Sequence, residues 1–167
     1  IGFLKETLVA PIPRLHIMLG KTLGGATVAM AQGLIVFIIT LLAGFKPASL
    51  LYYPLALLFM FLIAILFTAL GVAIASTLED MQAFPIIINF LIMPLFFLSG
   101  ALFPIDGLPR TVEIITKLNP LTYGVDGIRG ALTLSHHFSL ITDFAVVAIL
   151  MVIATAIGTY LFSRVEV

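Results

Sequence analysis

His136 and His137 form the one adjacent histidine pair in the chain. Neighbouring histidines point to different sides of a helix, and no carboxylate stands four residues from either. A metal site is therefore weighed against the plainer reading of an interfacial loop. Gly20-Lys21-Thr22 has the form of the end of a phosphate-binding loop. The full motif requires a glycine five residues before the Gly-Lys pair, and Leu15 occupies that place. Lys21 is read instead as the cation that closes a polar segment ahead of an apolar run. No serine sits in a Gly-x-Ser-x-Gly context and no His-Glu-x-x-His occurs. Cysteine is absent, which excludes disulfides, thiol chemistry and thiolate ligands. No catalytic, cofactor-binding or metal-binding residue is assigned.

Composition explains why so little polar chemistry is present. The chain has 167 residues, 62% apolar and 10% charged, against about 45–50% and about 25% in a soluble domain. A soluble chain of this size would leave roughly a third of its unfolded surface exposed, so the bilayer is the solvent that suits it. Eight basic and eight acidic residues balance, and net charge gives no sign of a nucleic-acid partner. The first residue is Ile1 rather than Met, and no signal-peptide pattern opens the chain. The chain is read as a fragment.

Charges divide the sequence into four silent runs: Thr22–Phe45, Pro47–Leu78, Met81–Ile105 and Phe144–Ser163. Each has the roughly 20 residues that a spanning helix needs, and a backbone in lipid must satisfy its own hydrogen bonds. Four spanning helices are predicted, at about 22–43, 52–77, 82–103 and 144–162. The fold class is all-α integral membrane, a single domain over residues 1–167. Between the third and fourth spans, residues 104–143 form an outer loop. There Leu108, Val112 and Ile115 share one face of a short helix entered at Pro109, while Arg110, Glu113 and Lys117 share the other. Asn119-Pro120 ends it. A second short helix at about 122–132 carries Asp126 and Arg129 one turn apart. The pair reads as amphipathic helices at or dipping into the membrane surface, with an ordinary structured loop as the alternative. Lys5, Arg14, Lys21 and Arg164 fall on one side, and Lys46, Arg110, Lys117 and Arg129 on the other. The charge rule for orientation is undecided.

Packing inside lipid relies on small residues that let backbones approach. Gly25, Ala29 and Gly33 repeat every four residues on the first span, Ala69, Ala73 and Thr77 on the second, and Ala154 with Gly158 on the fourth. Pro85 and Pro94 bend the third span, with Asn89 between them. Asn89 and Gln32 could line a substrate path or be satisfied amides in a packed bundle. The predicted spans contain no Asp, Glu, Lys, Arg or His. Ion-coupled transporters usually hold such a group at depth, so energy for any transport must come from elsewhere.

The run Leu70-Gly71-Val72-Ala73-Ile74-Ala75-Ser76 is followed by an acidic turn and then by Pro94-Leu95-Phe96-Phe97-Leu98-Ser99-Gly100-Ala101-Leu102-Phe103-Pro104. After the amphipathic helix comes Leu118-Asn119-Pro120-Leu121-Thr122-Tyr123. This order resembles the permeases of the type-2 ABC transporter membrane family. The opening, Gly2-Phe3-Leu4-Lys5-Glu6 with Leu8-Val9-Ala10-Pro11 and Arg14, is similar to the daunorubicin-resistance-type branch.

The resemblance implies a permease subunit of an ATP-driven exporter of an amphiphile, such as a drug, a lipid or a lipid-linked glycan. It implies six spans, of which this chain supplies the last four. Residues 1–21 become a cytoplasmic coupling segment, with Glu6, Leu8, Ala10, Pro11 and Arg14 docking into the ATPase subunit. Gly100, Phe103, Pro104, Asn119, Pro120 and Tyr123 become structural motif residues, and 104–143 an outer re-entrant helix pair. The implied partners are an ABC ATPase that binds and hydrolyses ATP, a second permease copy and membrane lipid. The implied location is the cell membrane, multi-pass, with both ends of the fragment cytoplasmic. The competing reading is an ATP-independent secondary transporter or channel, which predicts an intramembrane charge or an inverted repeat.

Overall fold

A computed structural model describes residues 13–80 and 82–164, and the described residues contain helices and turns with no strand. The helices are α1 (Arg14–Leu42), α2 (Tyr53–Thr77, preceded by a 3-10 turn at Leu50–Tyr52), α3 (Ala83–Phe97), α4 (Arg110–Leu118), α5 (Pro120–Thr133) and α6 (Leu140–Ser163). Among the described residues, three segments are long and apolar enough to cross a membrane: Arg14–Leu42, Leu50–Thr77 and Leu140–Ser163.

The long helices exceed the charge-free runs that announced them. α1 begins eight residues ahead of the expected Thr22 and takes in Arg14, His16 and Lys21. α6 begins at Leu140 rather than Phe144 and takes in Asp143, which is wholly buried. The expectation of ionisable-free helices is thus corrected at both places, because a helix continues wherever its first turn finds partners, whatever its charge. α2 fits its expected bounds within a residue.

The third expected span is the one that differs most. Its helix stops at Phe97, not Phe103, and its 15 residues rise about 22 Å against a hydrocarbon core of about 30 Å. The chain leaves the helix through Gly100, whose φ of +78° is a left-handed conformation that costs a side-chain-bearing residue about 1–2 kcal/mol. A Cβ there would also stand 2.8 Å from the Ile105 side chain.

α2 is the centre of the molecule, packed by α1, α5 and α6. Its small residues set the approach: Gly158 of α6 lies against the Met18 side chain, the Ala69 carbonyl and Ala73. Met18, Leu66, Ala69, Val147, Ala154 and Phe162 form the core around this crossing. Gly25 meets Thr68, and Gly33 meets Met60, so the expected seam on α1 does face α2 at these two positions. Ala29 and Thr77, expected on the same seams, are exposed, and Met18, Thr22 and Ala26 make the buried stripe of α1. Exposed Leu, Ile, Val and Phe side chains cover much of α1, α3 and α6, the surface that lipid solvates.

The two ends of the bundle are distinct. Arg14 Nη1 donates to the Ser163 carbonyl, joining the start of α1 to the end of α6. At the opposite end the Ala48 N–H donates to the Leu132 carbonyl at 2.8 Å, tying the α1–α2 connection to α5. There α5 passes close over α2: Gly127 lies against the Phe59 ring and Gly124 against Ile63. Gly127→Val is expected to overfill this contact and destabilise the fold by about 1–3 kcal/mol. Gly71→Ala, with no atom within 4 Å of its new methyl, is expected to be neutral or stabilising by up to about 1 kcal/mol. Thermal unfolding of the detergent-solubilised protein measures both, and equal melting of the two variants would argue against the α2–α5 crossing.

Candidate functional site

The two sequence stretches that carry the family resemblance meet in space. A helix leaves its last four carbonyls without intrahelical partners; at the end of α3 the Leu98 and Ser99 N–H groups take those of Pro94 and Phe96, and the Leu95 carbonyl finds its partner beyond α4. Asn119 Nδ2 donates to the Leu95 carbonyl at 2.6 Å, while its Oδ1 accepts from Leu121 N–H at 3.0 Å as the N-cap of α5. Thr122 Oγ1 donates to the Thr116 carbonyl at 2.8 Å and lies 3.5 Å from the Leu98 carbonyl. Arg129 donates to the Gly100 carbonyl at 2.6 Å, in the turn that follows α3. Tyr123 donates to the Lys117 carbonyl at 2.7 Å and stacks on Phe138 at 5.1 Å. Pro120 takes the first position of α5, where its missing N–H is no loss. Gly100, Asn119, Pro120 and Tyr123 therefore each have a structural task. Phe103 and Pro104 lie exposed on the turn after α3.

α4 begins after Pro109 as expected, and Glu113 accepts from Lys117 at 2.6 Å on its exposed face. The Lys117 hydrogen bond and charge hold the Glu113 carboxyl below its usual range. Of the expected apolar face, Leu108 and Val112 are half-buried, while Ile115 is exposed. Thr116 takes the buried place instead, its hydroxyl donating to the Val112 carbonyl at 2.9 Å.

Asp126 and Arg129, one turn apart, do not pair with each other. Both oxygens of Asp126 accept from the His137 N–H at 2.8 and 2.9 Å, and one also accepts from Phe138 N–H at 2.7 Å. The buried carboxylate thus shapes the α5–α6 turn. His137 Nδ1 lies 3.0 Å from Asp106, and Asp106, Asp126, Arg129, His136 and His137 line a polar pocket of about 260 Å³ at this end. The described residues contain no group of three metal-ligating side chains.

The positions expected on a substrate path are placed apart. Gln32 and Asn89 are both exposed, on α1 and on α3, so the structure does not bring them to a shared interior. An amide marked by polarity alone gives no information on which face it takes. An open apolar cleft of about 500 Å³ lies instead toward the end where Arg14 meets Ser163, lined by Leu15, Leu19 and Thr22 of α1, Ile65 of α2, and Met151 and Thr155 of α6. Thr155 donates to the Met151 carbonyl and Thr159 to the Thr155 carbonyl, both at 2.8 Å. Their hydroxyls are thereby engaged by their own helix, and the cleft wall stays apolar. The sequence held no signal for this cleft, because its walls are ordinary apolar residues from three helices. Of the expected coupling residues, Glu6, Leu8, Ala10 and Pro11 lie outside the described residues, and Arg14 stands at the head of α1.

Asn119→Ala is expected to destabilise the protein by about 1–3 kcal/mol through loss of the cap and of the bond to the α3 carbonyl. Asn119→Asp keeps a capping acceptor and should fall between the two in thermal unfolding. An Asn119→Ala protein that melts like the parent would contradict this account of the motif.

The model of the ABC-2 type transporter family matches residues 1–133. The inner membrane transport permease YadH of Escherichia coli K12 is 29% identical over 89% of this chain and 57% of its own length. The putative transport permease ycf38 of Cyanophora paradoxa is 30% identical over 77% of this chain and 44% of its own. Nodulation protein J of Rhizobium leguminosarum bv. viciae is 26% identical over 89% of this chain and 56% of its own. The chain thus spans little more than half the length of the first of these curated relatives. No solved structure matches significantly. With four-fifths of its sequence fitting that family, and with the family-like stretches clasped together at the end of α3, the chain belongs to the ABC-2 type transporter membrane family.

Proposed function

We propose that this chain is the last four spans of a permease subunit in an ATP-driven exporter, with α3 as a short crossing and α4–α5 as a re-entrant pair on the outer face. A separate ABC ATPase supplies the energy, a second permease copy completes the pathway, and both ends of the chain face the cytoplasm. The cargo is an amphiphile: a drug, a lipid or a lipid-linked glycan. The observation that carries this reading is the continuity of α1. Its 29 residues make a rod of about 43 Å that starts beside the segment proposed to dock the ATPase and runs to the opposite end of the bundle. A push at the head of α1 is shared with α6 through Arg14 and the Ser163 carbonyl, and the apolar cleft lies between those two helices and α2. An apolar wall favours the hydrophobic part of an amphiphile.

Asp143 supports the second reading, an ATP-independent transporter or channel, because a carboxyl buried at the head of α6 is the kind of group ion-coupled carriers use. One experiment separates the two. The full-length permease is co-purified with a co-expressed ABC ATPase from the same organism, and ATP hydrolysis is measured in proteoliposomes with and without the permease. Association that fails when Glu6 and Arg14 are both changed to Ala, with hydrolysis falling at least about tenfold, is the expected result. Transport that proceeds without the ATPase would overturn the exporter reading in favour of the second.

A further inference from the structure

The basic residues of the two helices that flank the apolar cleft gather at one end of the bundle. Arg14 and Lys21 lie near the start of α1, and Arg164 follows the last residue of α6. The one acidic residue of either helix, Asp143, stands at the opposite end of α6. Glu79 and Asp80 come after α2 at the cationic end, and an Asp80 oxygen there accepts from the Gln82 N–H at 2.8 Å. Each cation is held against α6. Arg14 Nη1 donates to the Ser163 carbonyl, Lys21 Nζ stands 6.0 Å from the centre of the Phe162 ring, and the Arg164 guanidinium 4.7 Å from that of Tyr160. A ring fixes a cation without cancelling its charge, and long basic side chains keep their heads at the membrane interface in this way.

Arg14 spans the end of the cleft. Leu15 beside it and Thr159, one turn before Ser163, both line the wall, so the guanidinium bridges the two helices there. A guanidinium carries five N–H donors in a fork that matches phosphate oxygens, and the Ser163 carbonyl takes one of them. The hydroxyls that α6 brings to the wall are engaged by their own helix. An apolar wall that ends in a group of cations fits a molecule with an apolar tail and an anionic head. A soluble anion would leave the wall bare. A second copy of this chain set face to face on the same surface would bring its own cations against these.

We propose that the cleft seats an anionic phospholipid, its phosphate at Arg14 within the field of Lys21 and Arg164, and one acyl chain along Leu19, Ile65 and Met151. The lipid ties α1 to α6 at the end where the two helices meet. This requires only the leaflet at that end and is independent of what drives transport. A cargo that uses the same wall has to displace the lipid's chain.

The test uses the full-length protein in detergent, titrated with phosphatidylglycerol or with phosphatidylcholine of the same acyl chains and followed by thermal unfolding. Phosphatidylglycerol is expected to raise the melting temperature saturably, at a concentration about tenfold lower than phosphatidylcholine. Inorganic phosphate alone is expected to give no rise, and a rise from it would overturn the phospholipid as the occupant. Arg14→Gln is expected to remove the difference between the two lipids. Ala156→Phe, which fills the cleft and leaves every charge in place, is expected to remove the rise with phosphatidylglycerol. Equal action of the two lipids on the parent overturns the proposal, as does a full difference in Arg14→Gln or an undiminished rise in Ala156→Phe. Should Arg14→Gln fail to fold, the double variant Lys21→Gln with Arg164→Gln takes its place. It is expected to narrow the difference between the lipids, and an unchanged difference would overturn the role of the cations.

Discussion

The structure depends on one close approach, where Gly158 of α6 lies against Met18 of α1 and against Ala69 and Ala73 of α2. Lipid tails are as apolar as leucine, so helices in a bilayer gain nothing by hiding apolar area from them. Contact must come from backbones brought near enough for dense packing. A bulky or branched side chain at residue 158 would crowd all three helices at once, whereas a single Cβ comes closer than 3.0 Å only to the flexible Met18 tip. Without such bulk, α2 can sit in the middle, α1 and α6 can touch both α2 and each other, and their ends can meet at Arg14 and Ser163. The cleft between the three helices and the joining of the ends of α1 and α6 both follow from that approach.

At the opposite end the governing constraint is the backbone's demand for partners. α3 ends early, and its free carbonyls would be costly in an apolar setting. Asn119 serves the Leu95 carbonyl directly, Arg129 holds the Gly100 carbonyl in the turn beyond, and Tyr123 closes α4 in the same way. The Ser-Gly run after α3 and the Asn-Pro-x-x-Tyr run before α5 are therefore two halves of one arrangement. One half turns the chain through a left-handed glycine, and the other supplies the donors. This explains why the loop between α3 and α6 is helical and ordered although it is the most polar part of the chain.

How much of this was legible follows from the kind of signal each feature leaves. α2 was placed within a residue because its run is long and is bounded by a turn and an acidic pair. The junction at Asn119-Pro120 was legible because proline restricts its predecessor. Ala69, Ala73, Ala154 and Gly158 were found because small residues at a spacing of four mark a seam, yet the same spacing also selected Ala29 and Thr77, which are exposed. The stop at Phe97 was hidden because Leu98–Phe103 carries no charge, and Asn119, which takes the Leu95 carbonyl, stands 24 residues onward. Asp143 looked like a boundary charge, since hydropathy treats every aspartate as an end of a span. Its burial arises from packing against α5, which no local pattern encodes. Gln32 stands out by polarity and Asn89 also by its place between Pro85 and Pro94, but the direction a side chain faces is a property of the bundle.

The most direct measurement of the central approach is a disulfide. The chain has no native cysteine, and a Cβ at residue 158 would lie 3.5 Å from the Ala73 Cβ, at the near end of the separation a disulfide spans. The protein carrying both Ala73→Cys and Gly158→Cys, with the flexible Met18 tip free to move aside, should cross-link under mild oxidation in the membrane. A folded double variant whose thiols stay reduced would contradict the packing on which the whole structure rests.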